Sequence, residues 1–130
     1  MKTENKILEM SFNFSLEIIS LYKILVEKKE FVLSKQLLRS ATSIGANVEE
    51  AIAAQSKKDF IMKMSISSKE ARETRYWLKL LDRSKLVDLD YLNYLSSIEH
   101  IINCNNKNCK NQPGIYSSSK VKVDCISFNI

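Results

Sequence analysis

Three features of the 130-residue sequence predict an all-α chain, an antiparallel up-down four-helix bundle followed by a poorly ordered C-terminal tail. The first is the scarcity of breakers: two glycines and one proline in all, with Gly45 alone before the adjacent Pro113 and Gly114. Sandwiches, barrels and glycine-rich phosphate loops need turn residues that this chain lacks. The second is an apolar spacing of three and four residues, the period of a helix, over most of residues 1–103. The third is the shortness of the connections, which makes successive helices antiparallel neighbours. The expected division is a bundle over 1–103 and a divergent, flexible tail over 104–130.

Ile7, Met10, Phe14, Ile18, Leu21 and Leu25 share one face of a first helix, about residues 4–29, with Tyr22 and Val26 beside them. Glu9, Asn13, Glu17, Ser20 and Glu27 lie opposite, and Lys28-Lys29-Glu30 closes the helix. Ser34 is the expected N-cap of a second helix, about 34–55, with Leu37, Ala41, Ile44, Val48 and Ile52 inward. Ser56 followed by Asp59 resembles a capping box, with Asp in place of the usual Glu, and opens a third helix, about 56–83. Phe60, Met64, Ala71, Thr74, Leu78 and Leu81 line its inner stripe, with Trp77 at the edge. Asp88 is the expected cap of a fourth helix carrying Tyr91, Leu95, Ile98 and Ile102. Beyond Asn103 the asparagine-rich run from Cys104 to Gln112 has no apolar period, and asparagine is a poor helix former. Val121 to Cys125 alternates like a strand but has no partner strand.

Composition excludes several classes. With 45% hydrophobic and 27% charged residues the chain is globular. No apolar run reaches the ~20 residues of a membrane span, and the N-terminus lacks the features of a signal peptide. The odd count of three cysteines, all beyond residue 103, fits a reducing cytoplasm. His100, Cys104 and Cys109 have a ligand-like spacing, but Cys125 would have to fold back to complete a tetrahedral zinc site. Free thiols are the expected state, with no metal and no cofactor. No nucleophilic triad can be assembled around the single histidine, and a Glu70/Glu73 carboxylate pair has no nucleophile beside it, so no catalytic residue is expected. Arg39 or Arg75 is the expected partner of those two carboxylates.

Two surfaces stand out. Opposite the apolar stripe of the second helix lie Arg39, Ser43, Ala46, Asn47 and Glu50, and no charge occurs from Ser40 to Val48. Small residues there, Gly45 included, point to another helix in close approach, with a second subunit as a candidate source; an Ala/Ser-rich solvent face is the alternative. On the third helix Lys58, Lys69, Arg72, Tyr76, Lys79 and Arg83 fall within an arc of roughly 80°. Such a basic row could track a phosphate backbone while Tyr76 stacks on a base; a solvated helix face is the alternative.

Charge supports this only locally. Residues 56–85 hold nine Lys or Arg against four acids, and 86–103 hold three acids and no base. The formal net charge of +5 overstates the basicity of the bundle, because Lys107, Lys110, Lys120 and Lys122 lie in the tail against Asp124 alone.

The run from Leu33 to Ala51, LSKQLLRSATSIGANVEEA, then Ala54 to Phe60, AQSKKDF, and Lys69 to Leu78, KEARETRYWL, resemble the four-helix-bundle proteins encoded within 23S ribosomal RNA intervening sequences. The resemblance covers about residues 5–100 and rests on long motifs in the same order and spacing. It implies an antiparallel helical bundle assembling into a ring, homopentameric in characterised relatives. The accessory proteins of diversity-generating retroelements are similar in fold and are basic pentamers that bind nucleic acid and reverse transcriptase. No established activity comes with the ribosomal-intron group itself. The matching positions, Arg39, Ser43, Gly45, Asn47, Glu50, Ser56, Asp59, Phe60, Lys69, Glu70, Glu73, Tyr76 and Trp77, look like packing, capping and subunit-contact residues. Family members continue the fourth helix well past the point matching His100. Here the asparagine/cysteine run is expected to end it, as a frameshifted 3′ end would. The functional expectation is a non-enzymatic, self-associating cytoplasmic bundle with RNA or a ribonucleoprotein as candidate partner; the alternative is a protein-interaction scaffold without nucleic-acid binding.

Overall fold

Residues 2–110 are described by the computed structural model, with side chains from 5 to 106, and the alternating Val121–Cys125 stretch lies outside them. Four helices follow one another: α1 (Lys2–Glu27), α2 (Leu33–Ile52), α3 (Lys57–Ser84) and α4 (Leu92–Lys110). No strand occurs among the described residues. Each helix packs on its chain neighbours, and α4 closes the circuit against α1. Contacts across the seams give the directions. On α2 and α3, Ser40 meets Thr74, Ile44 meets Ser67 and Glu50 meets Lys63, so residue numbers rise on one helix as they fall on the other. Arg75 with Glu99 and Ser67 with Asn105 show the same for α3 and α4. α2, α3 and α4 therefore run antiparallel in succession, in the up-down order that the short connections predict.

The expected stripes form its centre. Ile7, Phe14, Ile18, Leu21 and Leu25 of α1 and Leu37, Ala41, Ile44 and Val48 of α2 are buried. Met64, Ala71, Leu78 and Leu81 of α3 and Ile98, Ile101 and Ile102 of α4 complete the core. Fully burying a side chain of this size contributes about 1.5–3 kcal/mol, which makes this interior the main source of stability. Met10, Phe60 and Leu95 are half-buried, and Ile52 is exposed where an inward position was expected.

Helix ends differ from expectation for local reasons. α1 stops at Glu27 because Lys29 adopts a left-handed conformation with φ of 65°. The Glu30 N–H donates to the Leu25 carbonyl and the Lys29 N–H to the Val26 carbonyl, the paired bonds of a Schellman turn. Ser34 is not the cap of α2. The buried Glu30 carboxylate accepts the N–H groups of Val32, Leu33 and Ser34, at 3.2, 3.0 and 2.6 Å, while the Ser34 hydroxyl donates to the Glu30 carbonyl. An anion at the positive end of the helix satisfies several orphan donors at once. α3 opens as predicted, with Ser56 Oγ accepting from the Asp59 N–H at 3.1 Å. Lys85, at φ 57°, closes it. α4 begins at Leu92, and its N-terminal acceptor is Asp90, whose Oδ1 takes the Leu92 N–H at 3.0 Å, in place of Asp88. Tyr91 precedes the helix, yet its ring is buried and its hydroxyl donates to the Val87 carbonyl at 2.9 Å, tying down the α3–α4 loop. Burial, reinforced by Asp82, Glu30 and Asp88, pushes the Tyr91 phenol up to about 12.

The larger correction concerns the boundary at 103. α4 continues through Lys110, and Cys104, Asn105 and Asn106 are buried, so the bundle extends past the expected start of the tail. Asn105 continues the inward sequence of Ile98 and Ile102 at helical spacing. Its Nδ2 donates to Ser67 Oγ at 3.2 Å, and Ser67 in turn donates to the Ile44 carbonyl at 3.0 Å, a polar chain through three helices. Asn106 Oδ1 accepts from Arg72 Nη2 at 3.2 Å. These contacts outweigh the weak helix propensity of asparagine, which is a few tenths of a kcal/mol to ~0.7 kcal/mol per residue. The fourth helix thus resembles the longer one expected of the family.

Three tests follow from the helix ends and the extension of α4. L-residues carry a cost of about 1–2 kcal/mol in the left-handed region, so Lys29→Gly and Lys85→Gly each raise the urea midpoint, by roughly 1 kcal/mol in stability. Asn105→Ala destabilises by about 2 kcal/mol through the lost hydrogen bond and the cavity. A chain ending at Asn103 is less stable still; equal urea midpoints for the truncated and full chains would show that α4 beyond Asn103 contributes nothing.

Candidate nucleic-acid interface

The position of α3 between α2 and α4 sorts its charged residues by direction. On the α2 side, Arg39 reaches across the seam to both carboxylates, with Nη1 donating to Glu70 at 3.3 Å and Nη2 to Glu73. Lys63 pairs with Glu50 at 2.9 Å. On the α4 side, Arg75 Nη1 donates to Glu99 at 2.8 Å, and Arg72 turns toward Asn106. Arg39, not Arg75, is therefore the partner of Glu70 and Glu73.

The outer face of α3 keeps Lys58, Lys69, Tyr76, Lys79 and Arg83 exposed. Arg72 leaves the predicted row: it is half-buried at the α3–α4 seam, because Asn106, expected in the tail, lies on α4 and offers an acceptor. Lys58, Lys79 and Arg83 make no ion pair among the described residues. At a rise of 1.5 Å per residue the row from Lys69 to Arg83 is about 21 Å long, with Tyr76 at its midpoint.

Tyr76 is held from beneath. Its ring meets Trp77 edge-to-face, with centroids 5.1 Å apart and planes at 70°. The Trp77 Nε1–H donates to Glu73 Oε2 at 2.9 Å, the same oxygen that Arg39 engages. Burial pushes the Glu73 carboxyl up, but the Trp77 indole and the Arg39 guanidinium outweigh it and hold the group below the ordinary glutamate range. The Arg39 guanidinium is raised in turn, chiefly by its hydrogen bond to Glu73. Periodicity alone puts Trp77 at the edge of the inner stripe. The four-residue spacing from Glu73 to Trp77, one helical turn, is the signal that could have identified the pair.

The proposed subunit-contact residues divide. Arg39 and Glu50 are tied to α3 of the same chain. The Ser43 hydroxyl donates to the Arg39 carbonyl and Asn47 Nδ2 to the Ser43 carbonyl, each within α2. Ala46 is exposed. The close approach at Gly45 comes from α1, where Ser11 Oγ lies 3.4 Å from where a β-carbon would sit. A second surface went unnoticed in the sequence: Phe12, Leu16 and Ile19, 64%, 51% and 38% exposed, on the side of α1 turned away from its buried stripe. His100 lines the cleft between α1 and α4 with Met10, Asn13 and Glu17, while Cys104 is buried in the core. Among the described residues no three His, Cys, Asp or Glu side chains are grouped to hold a metal. None of the described helices is long and apolar enough to cross a membrane.

An up-down four-helix bundle with a basic, aromatic-bearing outer helix is the class of protein these features define. Residues 3–107 match the 23S rRNA-intervening sequence protein family, and the chain belongs to it. A crystal structure of a protein of unknown function from the S23 ribosomal protein family of Bacteroides thetaiotaomicron is 45% identical. The likeness covers 84% of this chain and 99% of that one, with a TM-score of 0.80. No curated protein matches the chain.

The Glu73 contacts generate a pH test. A carboxyl held below its ordinary value contributes stability that is present above the unfolded value, near pH 4.3, and lost as pH falls through the lower folded value. Between about pH 5 and pH 3 the urea midpoint of the wild type therefore falls more steeply than that of Glu73→Gln. Parallel curves would remove Glu73 as a contributor.

Proposed function

We propose that this chain is a non-enzymatic, self-associating bundle that holds RNA, alone or within a ribonucleoprotein, along the outer face of α3. The observation that carries this reading is the exposed row of Lys58, Lys69, Lys79 and Arg83 on one helix face. Glu99, the one acid within the described part of α4 itself, is paired with Arg75 at the seam. Cations placed this way bind phosphate by releasing its counterions, a sequence-independent attraction that weakens with salt. The family's name, which refers to 23S rRNA, and the ribosomal family of the similar structure support RNA as the polyanion.

Self-association is supported by Phe12, Leu16 and Ile19, large apolar side chains clustered on one outer face of α1. A ring, pentameric as the resemblance implies, would repeat the α3 row in each copy and multiply individually weak contacts. Glu70 and Glu73, both engaged by Arg39, act as seam residues and not as an acid–base pair. The cytoplasm, where RNA and reduced thiols occur together, is the compartment this function requires. The same α1 face also supports a second reading, a protein-interaction scaffold without nucleic acid.

Replacing Lys69, Lys79 and Arg83 together by Glu abolishes RNA retardation at low salt while circular dichroism shows unchanged helicity. Light scattering of the wild type gives a mass of several subunits. Unchanged retardation would remove the α3 row from consideration, and a multi-subunit mass with no retardation by the wild type would favour the scaffold.

A further inference from the structure

We infer that the α3 face selects single-stranded over duplex RNA, with Tyr76 as the base-stacking residue and Trp77 and Glu73 as the residues that position it. This rests on the RNA reading above and goes beyond it, since counterion release by lysines does not distinguish the two forms of RNA. The discriminating element is the ring. Tyr76 is 56% exposed at the midpoint of the basic row, with Lys79 one turn further along. In an edge-to-face pair one ring presents its edge to the face of the other, so Trp77 covers at most one face of Tyr76 and leaves another available to a base.

The ring is also pre-set. Arg39 on α2 holds Glu73, Glu73 accepts the Trp77 indole N–H, and Trp77 packs on Tyr76. A ring fixed in this way loses little conformational freedom when a base arrives, which favours binding. Stacking on an aromatic side chain requires an unstacked base. The bases of an A-form duplex are stacked on one another, and its major groove is deep and narrow, so a ring on a convex helix reaches only phosphate and sugar there. Phosphates beside a stacked base fall to the flanking cations, Lys69 and Lys79.

Trp77 is the single tryptophan of the chain and lies beside the ring, so its fluorescence reports arrival of a base directly. Full-length protein is titrated with an oligouridylate single strand and with a blunt-ended RNA duplex of the same length, at low salt, by tryptophan fluorescence and by gel retardation. The single strand is expected to bind more tightly and to quench Trp77. Tyr76→Ala and Tyr76→Leu weaken single-strand binding by about tenfold, leave duplex binding unchanged, and Tyr76→Phe retains the wild-type preference. Trp77→Phe, read by retardation, loses part of the single-strand preference without changing duplex affinity. Equal affinity for the two forms, or an unchanged affinity in both Tyr76→Ala and Tyr76→Leu, overturns the stacking role while leaving the electrostatic reading intact. Absence of binding to either RNA overturns the electrostatic reading and this one with it.

Discussion

Arg39 lies across the α2–α3 seam and engages Glu70 and Glu73, two carboxylates one turn apart on the facing helix. Fork-shaped donation to two fixed points specifies how far α3 is slid along α2, not merely that the helices touch. Further along the same seam, Thr74 donates to Ser40 at 2.9 Å, Ser67 to the Ile44 carbonyl and Lys63 to Glu50. A slip of one turn would break all of these together. Arg39 is half-exposed, and solvent-accessible ion pairs are worth little individually, about 0–1 kcal/mol. Burial of the apolar stripes stabilises the bundle; the polar seam selects its register. The outer face of α3 inherits that choice, because Glu73 holds Trp77 and Trp77 supports Tyr76.

The α3–α4 seam acts in the other direction, by drawing charge inward. Arg72 leaves the outer row for Asn106, and Arg75 is engaged by Glu99. With Lys63 committed to Glu50, the cations that face solvent are fewer than the nine counted between residues 56 and 85. What remains is a narrower row with an aromatic ring in it. That geometry suits an extended strand better than the broad field a formal charge would suggest. The same seam holds the end of α4, where asparagines that disfavour a helix in isolation gain partners on α3.

Glu30 shows how one residue can serve two elements. Its N–H completes the turn that ends α1, and its carboxylate gathers the first N–H groups of α2. The two helices are thereby joined by a short turn of fixed geometry, with left-handed Lys29 at the reversal. The corresponding turn between α3 and α4 uses left-handed Lys85 and the buried Tyr91 ring. Neither turn contains glycine, which is why the scarcity of glycine is compatible with tight reversals at both.

The sequence by itself determined the number of helices, the inward stripes and the Ser56 cap, because apolar periodicity and capping are local properties of the chain. The α3 row was legible for the same reason: residues sharing a helical face can be identified without knowing what faces them. Tertiary structure decided whatever depends on a partner distant in sequence. Arg72 moved inward because Asn106 is there to accept its hydrogen bond, and Arg39 chose Glu70 and Glu73 because the α2–α3 register places both within reach. The fourth helix passed Asn103 because Ser67 and Arg72 offset the poor helix propensity of asparagine. Local propensity set the helices, and the alignment of one helix against the next set which charges were left to face solvent.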